Sequence, residues 1–90
     1  MTIASNLAEK DAKLYGAYWC SFTNAQKERL GKEAMSKIRY VECSKDGKDS
    51  EFDLCKSKGI QGYPTWDIQG KFYPGDQELE ELEDILKEVQ

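Results

Sequence analysis

The chain has 90 residues, 39% of them hydrophobic and none of them histidine, and its 13 basic and 17 acidic side chains give a net charge of −4. That describes one domain with a thin core, without the basic clusters that suit nucleic acid and without the ~20-residue apolar run that a membrane-spanning helix needs. The three cysteines cannot all pair with one another; with no histidine and no zinc-finger spacing they imply no structural metal site, and nothing in the composition implies a cofactor.

Residues 1–13 are polar, with Ala4, Leu7, Ala8 and Ala12 at helix-compatible spacing, and read as a short N-terminal helix or a loose arm. They carry neither the basic start nor the apolar core of a secretory signal. A complete chain of this kind is expected in the cytoplasm, whereas a processed piece of a longer protein is not so constrained. Leu14 to Trp19 reads as a first strand, apolar on both faces. From Ser21 to about Met35 the period becomes helical, with Phe22, Ala25, Leu30 and Ala34 as inward candidates and Lys27, Glu28, Arg29 and Lys32 on the wet side. Gly31 interrupts this helix, which predicts a kink or a close approach.

Ile38 to Cys43 alternates as a strand should, and the cluster Ser44 to Ser50 is a turn-rich connection in which Asp49 or Ser50 is placed to cap the next helix. That helix, about Glu51 to Lys58, sets Phe52 and Cys55 on one face and stops at Gly59. Gly62 to Gln69 is a turn leading into a strand, Gln69-Gly70-Lys71 reverses it tightly into Phe72-Tyr73, and Pro74-Gly75 is a type II turn signal. The last helix, about Gln77 to Val89, gathers Leu79, Leu82, Ile85, Leu86 and Val89 into one apolar stripe. The order β-α-β-α-β-β-α, with one crossover and a terminal hairpin, predicts an α/β fold: a four-stranded mixed sheet with helices on both faces.

Cys20 falls where the first strand hands over to the first long helix. The leading N–H groups of a helix lack intrahelical partners and its N-terminus is electropositive, so a thiol placed there ionises more easily than a free one. The competing reading is a small buried residue filling a corner. Cys43 and Cys55, at a strand end and on the inward face of the following helix, are either two separate buried thiols or a disulfide closing a short loop; their placement favours proximity, with Cα atoms within about 7 Å, and a bond only in an oxidising compartment. A third arrangement, in which one of them resolves a bond at Cys20, requires it to reach across the domain. Trp19, Tyr18, Tyr63, Trp66 and Tyr73 suit core and cleft lining better than base stacking, given the acidic balance.

The segments Tyr15-Gly16-Ala17-Tyr18-Trp19-Cys20, Tyr40-Val41-Glu42-Cys43, Gly59-Ile60-Gln61-Gly62-Tyr63-Pro64-Thr65-Trp66 and Tyr73-Pro74-Gly75 resemble the thioredoxin superfamily. More narrowly they are similar to the thioredoxin-like domain fused to bacterial and plant vitamin K epoxide reductase homologues. The resemblance runs from about Tyr15 to Leu86 and implies the thioredoxin fold independently. It breaks at one place: family members carry Cys-x-x-Cys with a proline and a histidine between the cysteines, where this chain reads Cys20-Ser21-Phe22-Thr23.

The resemblance implies Cys20 as the nucleophile and puts Thr23 where the resolving thiol stands. A hydroxyl there does not attack sulfur but can donate a hydrogen bond to the thiolate. It also implies a cis bond at Tyr63-Pro64 beside Cys20, with Tyr63 offering its backbone to an extended peptide, although a turn proline is ordinarily trans. Trp19, Ser21 and Phe22 complete the expected substrate-binding set, Phe22 either as packing or as an exposed contact. Two functions remain in view. One is monothiol exchange or isomerisation with protein or glutathione disulfides, partnered on the family pattern by a membrane quinone reductase of the vitamin K epoxide reductase type and located in the periplasm or a lumen. The other is a redox-inactive module that binds an extended peptide or a partner protein.

Overall fold

The computed structural model describes residues 2–89; Met1 and Gln90, the two ends of the domain expected over 1–90, lie outside the described residues. In chain order the elements are α1 (Ile3–Glu9), β1 (Lys13–Gly16), α2 (Ser21–Leu30), α3 (Lys32–Met35), β2 (Arg39–Glu42), α4 (Phe52–Ser57), β3 (Thr65–Ile68), β4 (Lys71–Pro74) and α5 (Leu79–Glu88). The sheet order is β2-β1-β3-β4. β1 runs parallel to β2, with Lys13 opposite Arg39, and antiparallel to β3, with Leu14 opposite Trp66. The parallel pair needs a crossover, which α2 and α3 supply, whereas β3 and β4 need only the two residues Gln69 and Gly70, both at positive φ. This is the thioredoxin-like α/β fold, a four-stranded mixed sheet with helices on both faces.

The strand alternation splits the core in two. Leu14, Trp66 and Ile68 point to one face, where they meet Leu7 and Ala12, Ile38, and Leu82 of α5. Tyr15 and Val41 point to the other and meet Cys43 and Cys55, the latter on α4. Gly16 ends β1 two residues before Tyr18 because its backbone lies against α2: a Cβ there would sit 2.5 Å from Thr23 Cγ2. The first strand therefore stops short of the expected Trp19, and Ala17 to Cys20 form a turn closed by the Cys20 N–H to the Ala17 carbonyl at 3.0 Å.

Several expectations are corrected by packing. The helix expected over 21–35 is two helices, since Gly31 takes φ 92° between them. Its inward positions are held by Thr23 and Gln26, both wholly buried, while Phe22 is 65% exposed and is not core. The physical reason is polar satisfaction. Gln26 Oε1 accepts from the Trp66 indole N–H at 2.9 Å and from the Gln77 N–H at 2.7 Å, and its amide donates to the Gln77 carbonyl at 3.0 Å. A buried indole N–H without a partner would be costly. Held this way, Gln77 stays outside α5, which begins at Leu79 behind a reciprocal Glu78–Glu81 capping box. Leu79 consequently misses the stripe and is 40% exposed. The cap of α4 is Glu51 rather than Asp49 or Ser50, with the Ser50 hydroxyl accepting from the Phe52 N–H at 3.3 Å.

Candidate active site

Cys20 is the N-cap residue of α2, extended at φ −83° and ψ 121°, so its side chain lies over the first turn of the helix. Its thiol is free and half-buried. Burial pushes the thiol up, but the N–H of Thr23, the Thr23 hydroxyl and the N–H of Phe22 all favour the thiolate, and together they bring Cys20 below the ordinary cysteine value. The Thr23 hydroxyl also accepts from the Ala17 N–H at 3.4 Å. One buried hydroxyl thus ties the turn before Cys20 to the helix after it.

Across from Cys20 lies the loop before β3. Its Tyr63–Pro64 bond is cis and Pro64 is buried. The Cys20 Sγ is 3.7 Å from the Tyr63 carbonyl oxygen. The Trp19 indole meets the Tyr63 ring edge-on, with centroids 6.0 Å apart, and donates its N–H to the Ser44 hydroxyl at 3.0 Å. Tyr18 donates its hydroxyl to Asp46 at 2.8 Å, and the Asn24 amide donates to the Tyr18 carbonyl at 3.0 Å. Ser21 and Phe22 are exposed on the outer side of the α2 N-terminus. Of the residues singled out in the sequence, Cys20, Thr23, Trp19, Tyr63 and Pro64 converge, whereas Ser21 and Phe22 border the cleft without closing it.

Cys43 and Cys55 are bonded to each other, with Cα atoms 5.7 Å apart, and belong to the core cluster on the α4 face. Neither is a free thiol able to attack a bond at Cys20. Among the described residues no group of three or more Cys, Asp or Glu side chains is placed to hold a metal ion, and no helix is long and apolar enough to cross a membrane.

Sequence reasoning missed two site residues. Gly16 was read only as part of a strand, although a glycine at a strand end three residues before an aromatic-cysteine pair is a signal of close approach. In the sequence Glu42 is one residue of the segment Tyr40-Val41-Glu42-Cys43. It is 6% exposed, and its carboxylate accepts from the Tyr18 N–H at 3.2 Å, the Ser44 N–H at 3.0 Å and the Tyr40 hydroxyl at 2.9 Å.

Known proteins share the fold. The chain is 40% identical over 88 residues to the thiol-disulfide oxidoreductase LTO1 of Arabidopsis thaliana, covering 94% of this chain but only 23% of that protein. No protein-family model matches. Among solved structures it resembles oxidized glutaredoxin 2 from Chlamydomonas reinhardtii, with a TM-score of 0.58 and 24% identity over 97% of this chain and 89% of that one. It also resembles oxidised thioredoxin from Plasmodium falciparum, with a TM-score of 0.53 and 14% identity over 96% of this chain and 88% of that one. The exposed lipoprotein thioredoxin Etrx1 of Streptococcus pneumoniae gives a TM-score of 0.51 and 19% identity over 91% of this chain and 89% of that one.

Proposed function

Because the chain belongs to the thioredoxin superfamily, we propose that it is a single thioredoxin-like domain that performs monothiol disulfide exchange through Cys20. The observation that carries this reading is the half-buried free thiol at the α2 N-cap, held below its ordinary pKa and facing the Tyr63 carbonyl. In the reaction the Cys20 thiolate attacks one sulfur of a substrate disulfide. A Cys20–substrate disulfide forms, the substrate's own S–S bond breaks, and the departing thiolate takes a proton from solvent. Thr23 cannot carry out the second attack, so an external thiol such as glutathione must release Cys20 by the same exchange. Thr23 instead supports the thiolate by its hydroxyl and N–H.

Trp19 and Tyr63 form one wall of the cleft, and the backbone of Tyr63 and Pro64 is the place where an extended substrate segment would pair. Ser21 and Phe22 border its entrance. A groove lined by Gly62, Thr65, Phe72 and Pro74 lies on the residues flanking Tyr63 and Pro64 in sequence. The chain spans 23% of its plant relative's length; a membrane quinone reductase of the vitamin K epoxide reductase type is the electron-transfer partner we propose. The Cys43–Cys55 disulfide favours an oxidising compartment, periplasmic or lumenal. A second reading rests on the exposure of Tyr18, Trp19 and Phe22 around Cys20: the same cleft would bind a peptide or partner without electron transfer.

One experiment separates them. Alkylation of Cys20 followed against pH should show a midpoint below the ~8.5 of a free thiol. The wild-type chain should form a mixed disulfide with glutathione, visible by mass, yet show little insulin reduction. Thr23→Cys should raise that turnover about tenfold or more by supplying the resolving thiol. If Thr23→Cys folds but stays inactive and the wild-type Cys20 resists alkylation to high pH, exchange is excluded and the binding reading stands.

A further inference from the structure

Glu42 is a buried charged side chain that the exchange chemistry does not use, and a charge is kept in an interior only when its surroundings satisfy it. Its oxygens face three donors. One oxygen accepts from the N–H groups of Tyr18 and Ser44, and the other accepts from the Tyr40 hydroxyl. The connecting loop closes over it so tightly that a Cβ on Gly47 would lie 2.5 Å from Glu42 Cγ. The two backbone donors belong to two different segments: Tyr18 to the turn that delivers Cys20, Ser44 to the loop after β2. The Ser44 hydroxyl in turn accepts from the Trp19 indole N–H at 3.0 Å, and the Trp19 ring abuts Tyr63, whose carbonyl faces the thiol. Tyr40 completes the cage from the other direction. The Lys27 ammonium lies 3.8 Å above its ring, and its hydroxyl is held above the ordinary tyrosine value by burial, by the bond to Glu42 and by the nearby Cys20.

We propose that Glu42 is a positioning residue of the thiol site, its carboxylate joining the Ala17–Cys20 turn to the Ser44 loop and so fixing the Trp19 wall against which a disulfide substrate is placed. The inference rests on the exchange reading above and names a determinant of its specificity. The residue never touches the reacting sulfur. It acts through Trp19 and the turn, so its effect should depend on the size of the reagent: a peptide disulfide uses the wall, a small alkylating agent does not.

The test compares wild type with Glu42→Gln in the full chain, using iodoacetamide and a cysteine-containing peptide disulfide, both above the pH at which the thiolate is fully formed. The amide preserves the size of the side chain but offers only one acceptor oxygen to the three donors. The rate with the peptide disulfide should fall about tenfold while the iodoacetamide rate stays within about twofold. In the nitrogen-15 spectrum the indole N–H of Trp19 should shift while that of the buried Trp66 does not. Ser44→Ala, which cuts the link to the indole and the Ser44–Asp46 bond but leaves the Ser44 N–H on Glu42, should lower the peptide-disulfide rate in the same direction by less and move the same Trp19 signal. It also keeps the test decisive if Glu42→Gln fails to fold. A parallel loss with both reagents, or an unmoved Trp19 signal with unchanged rates in Ser44→Ala, overturns the proposal. If wild-type Cys20 reacts with neither reagent, the exchange reading fails, and the Trp19 signal alone still decides whether Glu42 sets the wall.

Discussion

The two faces of the sheet are closed by different means. On one, α1, the segment between α3 and β2, and α5 bring Leu7, Ile38 and Leu82 onto Leu14, Trp66 and Ile68, a contiguous apolar layer. On the other, the single helix α4 spans Phe52–Ser57 and contributes one fully buried side chain, Cys55, which is covalently tied to Cys43 beside β2. A helix this short has little apolar surface to offer, and a link across a sequence separation of 12 restrains the unfolded chain instead. The comparison teaches how the three cysteines are divided. Two cysteines are used to hold the thin face, and the one left free is Cys20, beyond the same end of β1 that Cys43 borders through its N–H to the Gly16 carbonyl, next to polar rather than apolar support from Thr23.

The largest effect should come from breaking the thick face. Leu82→Ala removes a wholly buried side chain of α5 and should lower the unfolding free energy by about 4 kcal/mol, read from urea titration. A loss below about 1 kcal/mol would mean that this face is not the main store of stability. Replacing Cys43 and Cys55 together by alanine should cost about 3 kcal/mol, and amide exchange should quicken in α4 before it does in α5. If α4 is no less protected than in wild type, its few apolar contacts are sufficient by themselves and the contrast between the faces fails. Gln26→Leu sharpens the picture from inside the thick face. It keeps the volume but orphans the Trp66 indole N–H and the Gln77 N–H, for a loss of about 2 kcal/mol. A neutral or stabilising result would assign Gln26 no structural role beyond filling space.

Much of the fold was legible because its signals are local. The crossover, the reversal at Gln69-Gly70 and the stop at Gly59 follow from hydrophobic period and from residues that tolerate positive φ. The N-cap position of Cys20 was legible for the same reason: the period changes there. What failed was the assignment of inward positions on α2, where apolarity picked out Phe22 and the structure buries Thr23 and Gln26 instead. Helical spacing identifies a face only when that face is apolar, and here it is set by the donors that must be satisfied beneath it. Glu42 was hidden for a related reason, since a carboxylate in an alternating strand reads as a solvent position.

The sequence by itself determined the order and kinds of elements, the strand-to-helix corner that carries Cys20, and the presence of a threonine three residues after it, because these depend on residues a few positions apart. Only the tertiary structure decided that Cys43 and Cys55 are bonded, that the Tyr63 carbonyl, 43 residues away in sequence, comes within 3.7 Å of the Cys20 sulfur, and that Glu42 is enclosed beneath the turn. Each of these is a contact between segments that have no local preference for one another. They are brought together by burying the two faces of β1, and it is that burial, more than any motif, that builds the cleft.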